Sequence, residues 1–299
     1  MAEVLLVAPA DDVHAQVVAR YIGERASVAW LDLAAATSGA LAIEPGQRVM
    51  LNGAVVARAG TVVWWRRTGV PAPLAGADGM EQRLAAEEMR AQLVGGLLSL
   101  NVAWVDHPGV VETAEHTLFQ LAVAEREGAR IPRTVATNDA TVGRLRFRDG
   151  ELVAKAISSG IGIAPFADVV SEDLIDLLPN ASTVLQERLN SIADLRVVTI
   201  GNETFCWRRP KRAADPVDWR RQDPKGSAFE LVEEPEIHRL APLVASALGL
   251  QFCVQDWVQT AEGPVFLEVN PVGQWLFLRN AEQTVGERLA SLLLSKVRG

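Results

Sequence analysis

Apolar residues recur along the first hundred positions in two alternating rhythms. VLLVAPA is a continuous apolar run of strand length, residues 12 to 23 repeat at helical spacing, ASVAWLDL returns to a run, and TVVWWRR precedes a helical pattern over residues 80 to 100. Strand and helix in alternation predict a doubly wound α/β domain, ending near residue 105 at VAWVDHPG. Residues 112 to 128 follow as one amphipathic helix, with Ala114, Leu118, Leu121 and Ala122 at helical spacing. Beyond it the period changes. LVAKAI, IAPFADVV, TVLQERL, DLRVVTIG and ETFCWRR are short strand-like segments, the last two joined at Gly201-Asn202 with hairpin chemistry, so an antiparallel sheet is expected. KRAADPVDWRRQDPKG (211 to 226) reads as a polar surface excursion, and EPEIHRLAPLVASALG as a helix with proline in its first turn.

The last strands place polar groups where a core strand has no need of them. VQDWVQT (254 to 260) and PVFLEVN (264 to 270) flank Ala261-Glu262-Gly263, a three-residue loop with glycine at the position that favours a left-handed residue. With a symmetric loop, Asp256 faces Glu268 across the ladder and Asn270 projects from the same side as Glu268. Opposed carboxylates repel unless a cation separates them, and two carboxylates with an amide oxygen suit a hard ion such as Mg²⁺ carrying phosphate. The plainer reading is a solvated polar face on an ordinary hairpin, against which the apolar context of FLEVN places the cluster at the edge of a core.

Composition narrows the classes. A chain of 299 residues with 49% hydrophobic content buries a large core and suggests two or three domains. The N-terminus has no basic n-region, and no stretch reaches the ~20 apolar residues of a spanning helix, so neither export nor membrane insertion is expected. Cys206 and Cys253 lie alone in apolar runs, which fits a reducing cytoplasm, and His14, His107, His116 and His238 show no ligand spacing, so zinc is unsupported. The net charge of −8 argues against a nucleic-acid partner. Of 29 cationic residues only Lys155, Lys211, Lys225 and Lys296 are lysines. Lys155 sits among apolar neighbours at strand spacing in ELVAKAISSGIGIA and needs a partner if buried, the alternative being a strand-end lysine that reaches solvent. Arg208, Arg209, Arg212, Arg220 and Arg221 form a basic island, read either as a solvated face or as a receiver of acidic peptide.

The order of Lys155 before a Ser/Gly loop, then LQERL, DLR, Asp256 and FLEVNP resembles the ATP-grasp ligases. More narrowly, VVWWRR, VETAEHTLFQLAVAEREGARIPRTVATND, DLR, VDWR and FLEVNPVGQW together resemble the ATP-grasp maturases of ribosomal peptides, the graspetide or microviridin-type synthetases, over nearly the whole chain. NPVGQW is the most specific of these elements, whereas QE and DxR alone are weak. The resemblance implies an ATP-grasp fold of mixed α/β class, with an N-terminal doubly wound domain (1–105), a small central domain (106–182) and a C-terminal antiparallel-sheet domain carrying a metal site (183–299). It implies that ATP is clamped between the last two.

Residue by residue, the resemblance puts Lys155 on the nucleotide phosphates, with the backbone of Ser158, Ser159, Gly160 and Gly162 closing over them. It puts Gln186, Glu187 and the backbone through Leu189 on adenine and ribose. Asp194 and Arg196 match the DxR signature as catalytic residues, with Arg196 neutralising phosphate charge or holding an acidic substrate side chain, and Asp256, Glu268 and Asn270 match the Mg²⁺ ligands. The chain departs from the family at His116, where a lysine usually also reaches ATP, and at Asp106, where asparagine is usual. The implied reaction activates Asp or Glu side chains of a precursor peptide, made of a leader and an acidic core, as acyl phosphates, and closes ω-ester or ω-amide rings with Ser, Thr or Lys. A homodimer is also implied. Two other readings stand beside it: an ATP-grasp ligase that joins a free amino acid or small amine to a carboxylate, and a catalytically idle peptide-binding module.

Overall fold

The computed structural model describes residues 2–33, 41–68, 79–148, 150–155, 157, 168–212, 215–223 and 225–297. The chain divides into two compact units, Met1–Val110 with Asn280–Gly299, and Val111–Arg279.

In the first unit, strand β1 (Val4–Val7) is buried throughout and leads into helix α1 (Val13–Ile22), whose N-terminus is capped by the Asp12 carboxylate accepting from the Ala15 N–H. Strand β2 (Val28–Leu31) then pairs parallel with β1. The next three strands, β3 (Leu41–Glu44), β4 (Arg48–Leu51) and β5 (Ala54–Arg58), form an antiparallel meander that the alternation of apolar runs did not reveal. Its signal was Asn52-Gly53, where both residues have positive φ (52° and 79°) and turn the chain between β4 and β5. Strand β6 (Val62–Trp65), helix α2 (Gly79–Leu98) and strand β7 (Ala103–Val105) complete a parallel sheet in the order β2-β1-β6-β7. Trp64 and Trp65 of VVWWRR are core residues of β6.

The single helix expected over residues 112 to 128 is two, α3 (Pro108–Ala114) and α4 (Thr117–Arg126), with His116 as the N-cap residue of α4. The His116 ring donates from Nδ1 to the carbonyls of Glu112 and Thr113, so it terminates one helix as it starts the next. The break rotates the buried face: Gln120, Leu121 and Ala124 point inward, while Leu118 is exposed.

The strand-like segments that follow do not make one sheet but belong to two. Strands β8 (Thr134–Thr137), β9 (Leu152–Lys155), β10 (Asp168–Val169) and β11 (Thr183–Glu187) form an antiparallel sheet ordered β10-β9-β11-β8, with helices α5 (Ala140–Arg148) and α6 (Glu172–Asp176) between them in sequence. Leu152, Leu185, Ile175 and Leu178 pack with Val135 and Phe147 on one side of this sheet. Its register aligns Lys155 with Val184 and Val153 with Gln186 on the opposite face. The second sheet has the order β14-β13-β12-β15-β16, from strands β12 (Ser191–Ile200), β13 (Glu203–Pro210), β14 (Glu230–Val232), β15 (Phe252–Thr260) and β16 (Gly263–Asn270), with helix α7 (Pro235–Ala247) before β15. Strands β12 and β13 turn at Gly201-Asn202 as expected. Helix α8 (Ala281–Val297) returns to the first unit and crosses α1 at Gly286, where a Cβ would lie 2.8 Å from Val17 Cγ1.

Candidate active site

The face-to-face placement of Asp256 and Glu268 is observed, but the chain reaches it by another route than a three-residue loop. Thr260 pairs with Gly263, so the turn is two residues, Ala261-Glu262, and on that register Asp256 would meet Leu267. A bulge between Phe266 and Glu268 absorbs Leu267 and brings Glu268 opposite Asp256. The bulge also separates two residues that a regular strand would put on one face. Phe266 packs its ring against Trp257 in the core, at 5.2 Å between centroids, while Glu268 and Asn270 share the other face with Asp256.

Arginine closes the site from two directions. Arg196 lies directly across β12 from Asp256, and its Nη1 donates to both Asp256 oxygens at 2.7 and 2.8 Å, while Nη2 donates to the Gln274 carbonyl at 2.9 Å. Its Nε is buried with no hydrogen-bond partner among the described residues. Arg220 comes from the 211–226 segment and reaches Asp256 at 3.5 Å. Burial pushes the Asp256 carboxyl up, yet the guanidiniums of Arg196 and Arg220 outweigh it and hold Asp256 below the usual carboxylate range. Glu268 moves the other way. Burial raises it, Lys155 draws it down, and the Asp256 charge pushes it up again, leaving it above its ordinary value. The field of Lys155 thus reaches Glu268 from the other sheet of the same unit.

NPVGQW builds the floor of this site. The Asn270 side-chain oxygen accepts from the Val272 N–H, starting a tight turn, and the Gly273 N–H donates to the Asn270 carbonyl. A Cβ on Gly273 would lie 2.5 Å from Val254 Cβ, so only glycine lets the turn lie flat on β15. That approach delivers the Gln274 carbonyl to Arg196 and buries Trp275 completely.

The 211–226 segment is no surface excursion. Trp219 is buried against Phe229 and Phe277, and Asp215 and Asp218 are buried with it. Asp194, two residues before Arg196 on β12, accepts from Arg209 at 2.8 Å, and Arg209 in turn faces Asp215 and donates to Gln222. Burial holds the Asp194 carboxyl above its usual range against the pull of Lys211 and Arg209. Asp194 therefore anchors the segment that carries Arg220. The basic island is largely neutralised within the fold, since Arg208 faces Glu234, Arg209 faces Asp194 and Asp215, and Arg220 faces Asp218 and Asp256.

Gln186 is buried and donates to Thr134 Oγ1, on the sheet face of Lys155. Glu187 turns to the opposite face, where Arg133 donates to it from its backbone N–H and from Nε, so its carboxylate does not share the face of Lys155. His116 lies at the start of α4. Ser158, Ser159, Gly160 and Gly162 lie outside the described residues. Arg220 was legible as part of the basic island, but its contact with Asp256 depends on pairing across 36 residues, which spacing does not encode.

Among the described residues no group of three His, Cys, Asp or Glu gathers as a metal site. The candidate donors are two carboxylates and an amide oxygen, and this all-oxygen set fits a hard divalent cation.

No family model matches the chain. A probable alpha-L-glutamate ligase of Shewanella loihica is 27% identical over 202 residues, which cover 63% of this chain and 65% of that protein, so the chain spans less than two thirds of this curated relative. Solved structures align over nearly the full length. The Chryseobacterium gregarium RiPP-associated ATP-grasp ligase, in complex with ADP and a leader and core peptide, superposes with a TM-score of 0.86 at 20% identity, covering 99% of this chain and 97% of that one. Macrocyclase MdnC of Microcystis aeruginosa, bound with precursor peptide MdnA, gives 0.84 at 21%, covering 99% and 100%. ATP-grasp ligase PsnB, complexed with minimal precursor, Mg and ADP, gives 0.79 at 21%, covering 99% of each. The arrangement of sheets in this chain is thus that of the ATP-grasp fold.

Proposed function

We propose that the chain is an ATP-dependent ligase that activates side-chain carboxylates of a ribosomal precursor peptide and closes them onto Ser, Thr or Lys of the same peptide. The observation that carries this reading is Glu268: a carboxylate held above its ordinary range opposite a second carboxylate, with Lys155, Arg196 and Arg220 around it. Such a cluster is stabilised by a cation and by an anionic ligand, and Mg²⁺ with a nucleotide polyphosphate supplies both. Asp256, Glu268 and Asn270 would hold the metal, with Asp256 shared between it and Arg196. Bound Mg²⁺ supplies charge neutralisation at the transferring phosphate. The solved ligases bound to ADP, to Mg and to precursor peptide support the same assignment.

In the first step a substrate carboxylate oxygen attacks the γ-phosphorus, the bond to the ADP oxygen breaks, and an acyl phosphate forms. In the second a hydroxyl or amine attacks the acyl carbon and phosphate leaves with the C–O bond, the nucleophile losing a proton. Lys155 holds phosphate charge as a point cation, and Arg196 keeps one donor, its buried Nε, that could serve an oxyanion of substrate or phosphate. Gln186 and the backbone of 187–189 border the nucleotide base, and Asp194 acts through Arg209 on the placement of Arg220. His116 donates from Nδ1 to backbone carbonyls, which leaves Nε2 as the ring atom that would meet phosphate in place of the family's lysine. The nucleotide cleft lies between a central domain, 106–182, and a C-terminal one, 183–299. A cytoplasmic location and a homodimer complete the proposal; no helix among the described residues is long and apolar enough to cross a membrane.

The likeness to a probable alpha-L-glutamate ligase favours a second reading, conjugation of a free amino acid. Mass spectrometry of a Thr- and Glu-rich peptide incubated with the protein, Mg²⁺ and ATP separates the two. Loss of one water per ring supports cyclisation, whereas a gain of one residue mass in the presence of free glutamate supports conjugation. An unchanged peptide mass with no ADP formed contradicts both.

A further inference from the structure

Strand β16 is an edge of its sheet, and among the described residues its outer side meets no further strand beyond an isolated parallel bridge between Val265 and Arg130. At Val269, the residue between Glu268 and Asn270, a side chain takes the place of one. Gln120 of α4 is buried; its Oε1 accepts from the Val269 N–H at 2.9 Å and its Nε2 donates to the Val269 carbonyl at 2.8 Å. The second Nε2 hydrogen goes to the Ala114 carbonyl at the end of α3, at 2.6 Å. One primary amide thus satisfies both backbone groups of Val269 and ties them to the α3–α4 junction. No other side chain of this length offers a donor pair and an acceptor together.

The position matters because of the bulge. The alternative to a bulged edge strand is the regular register without the extra residue, and that one-residue slip turns every following side chain to the other face. Two anchors bracket Leu267: the Phe266 N–H donates to the Arg130 carbonyl at 2.8 Å on one side, and Gln120 holds Val269 on the other. Both anchors require those backbone groups to point away from β15. If the bulge were lost, Leu267 would meet Asp256, Glu268 would turn to the core face opposite Gln255, and Val269 would turn its N–H and carbonyl toward β15, losing Gln120.

We propose that Gln120 is a positioning residue for the metal-binding hairpin, fixing the register that sets Glu268 and Asn270 beside Asp256. The inference rests on the proposed metal role of those three residues. Groups that orient the residues of a metal site typically change metal affinity by roughly 10 to 100-fold when removed. Gln120→Met keeps the volume and removes the clamp; Gln120→Asn keeps the amide and shortens its reach.

The test is titration of each variant with MnCl₂ in the presence of ADP, followed by electron paramagnetic resonance, alongside ADP binding without metal and the ligand-free melting curve. Mn²⁺ affinity should fall by about tenfold or more in folded Gln120→Met and Gln120→Asn, while metal-free ADP binding is unchanged. A merely structural glutamine would lower the melting temperature and leave Mn²⁺ affinity of the folded protein alone, and that result overturns the proposal. Should Gln120→Met fail to fold, Gln120→Asn decides by the same readout. Glu268→Gln run in parallel separates the two levels: wild-type Mn²⁺ affinity in Glu268→Gln overturns the metal reading itself, whereas loss there with no change in the Gln120 variants overturns only the role of Gln120.

Discussion

Two buried arginine–aspartate pairs, one in each unit, look alike in a list of distances and differ in what surrounds them. In the first unit Arg66 Nε donates to both oxygens of Asp12 at 2.9 and 2.8 Å, and the remaining capacity of Asp12 is taken by the N-terminus of α1. Burial works against the Asp12 charge, but Arg66 and the Ala15 N–H outweigh it, so the carboxyl lies below its usual range, and His14 beside it is driven neutral. The second unit has the same bidentate contact in Arg196–Asp256, at 2.7 and 2.8 Å. There a second carboxylate, Glu268, faces the first and is held above its usual range. A pair whose carboxylate is taken up by one guanidinium and a helix N-terminus is a structural joint. A pair with a carboxylate held against its own charge is a place for a cation, and the contrast distinguishes the two where ion-pair geometry alone does not.

The difference can be broken at either end. Asp12→Ala leaves the Arg66 guanidinium buried without its carboxylate and removes a helix cap, so it should cost about 4 kcal/mol of stability in urea unfolding. The His14 ring supplies a pH signature for the same joint. Burial and the neighbouring Arg66 bring its pKa down to about 4 from 6.5 in the unfolded chain. A lowered folded value for a base means the unfolded chain takes up the proton first, so the contribution is whole above pH 6.5 and is lost as pH falls toward 4, up to about 3 kcal/mol. Urea midpoints at pH 7 and pH 5 should diverge in the wild type and converge in His14→Phe. Arg196→Lys keeps charge in the second pair but not the fork that holds Asp256 and the Gln274 carbonyl together, and turnover should fall roughly 100-fold with the melting temperature little changed. Near-normal product formation would make Arg196 a structural joint like Arg66. The smallest effect is expected at the floor of the site, where Gly273→Ala brings a methyl to 2.5 Å from Val254 and should cost about 2 kcal/mol by overpacking.

What the sequence discloses and what it hides follow from the range of the interactions. Local patterns were readable: α1 and α2 from apolar spacing, α7 from its first-turn proline, the β12–β13 hairpin from Gly201-Asn202, and the facing of Asp256 and Glu268 from their distances to the turn. The last was reached from a three-residue loop, whereas the chain uses a two-residue turn and a bulge at Leu267 that restore the same pairing. A bulge has no residue signature of its own here, since leucine is at home in either geometry. Nor could periodicity show that the segments after residue 150 sort into two sheets, because the period of a strand does not name its neighbour. The break at His116 was masked by apolar residues that stay in phase across it. Buried polar residues were least legible: Gln120 carries no signal of its own, and Arg209 is one charge of a basic island, until their partners 149 and 15 residues away are known. Asn52-Gly53, by contrast, was a local hairpin signal that went unread.

The most direct test of the central claim is a set of four melting curves, wild type and Glu268→Gln, each with and without Mg²⁺ and ATP at neutral pH. Because burial and Asp256 raise the folded pKa of Glu268, its ionisation costs stability as pH rises above the usual carboxylate range, and the glutamine variant escapes that cost. Ligand-free Glu268→Gln should therefore melt at or above the wild-type temperature and should lose the stabilisation that Mg²⁺ and ATP add to the wild type by mass action. A strongly destabilised ligand-free variant, or one that keeps the full ligand-induced shift, would contradict the account and make the carboxylate of FLEVNPVGQW a structural one.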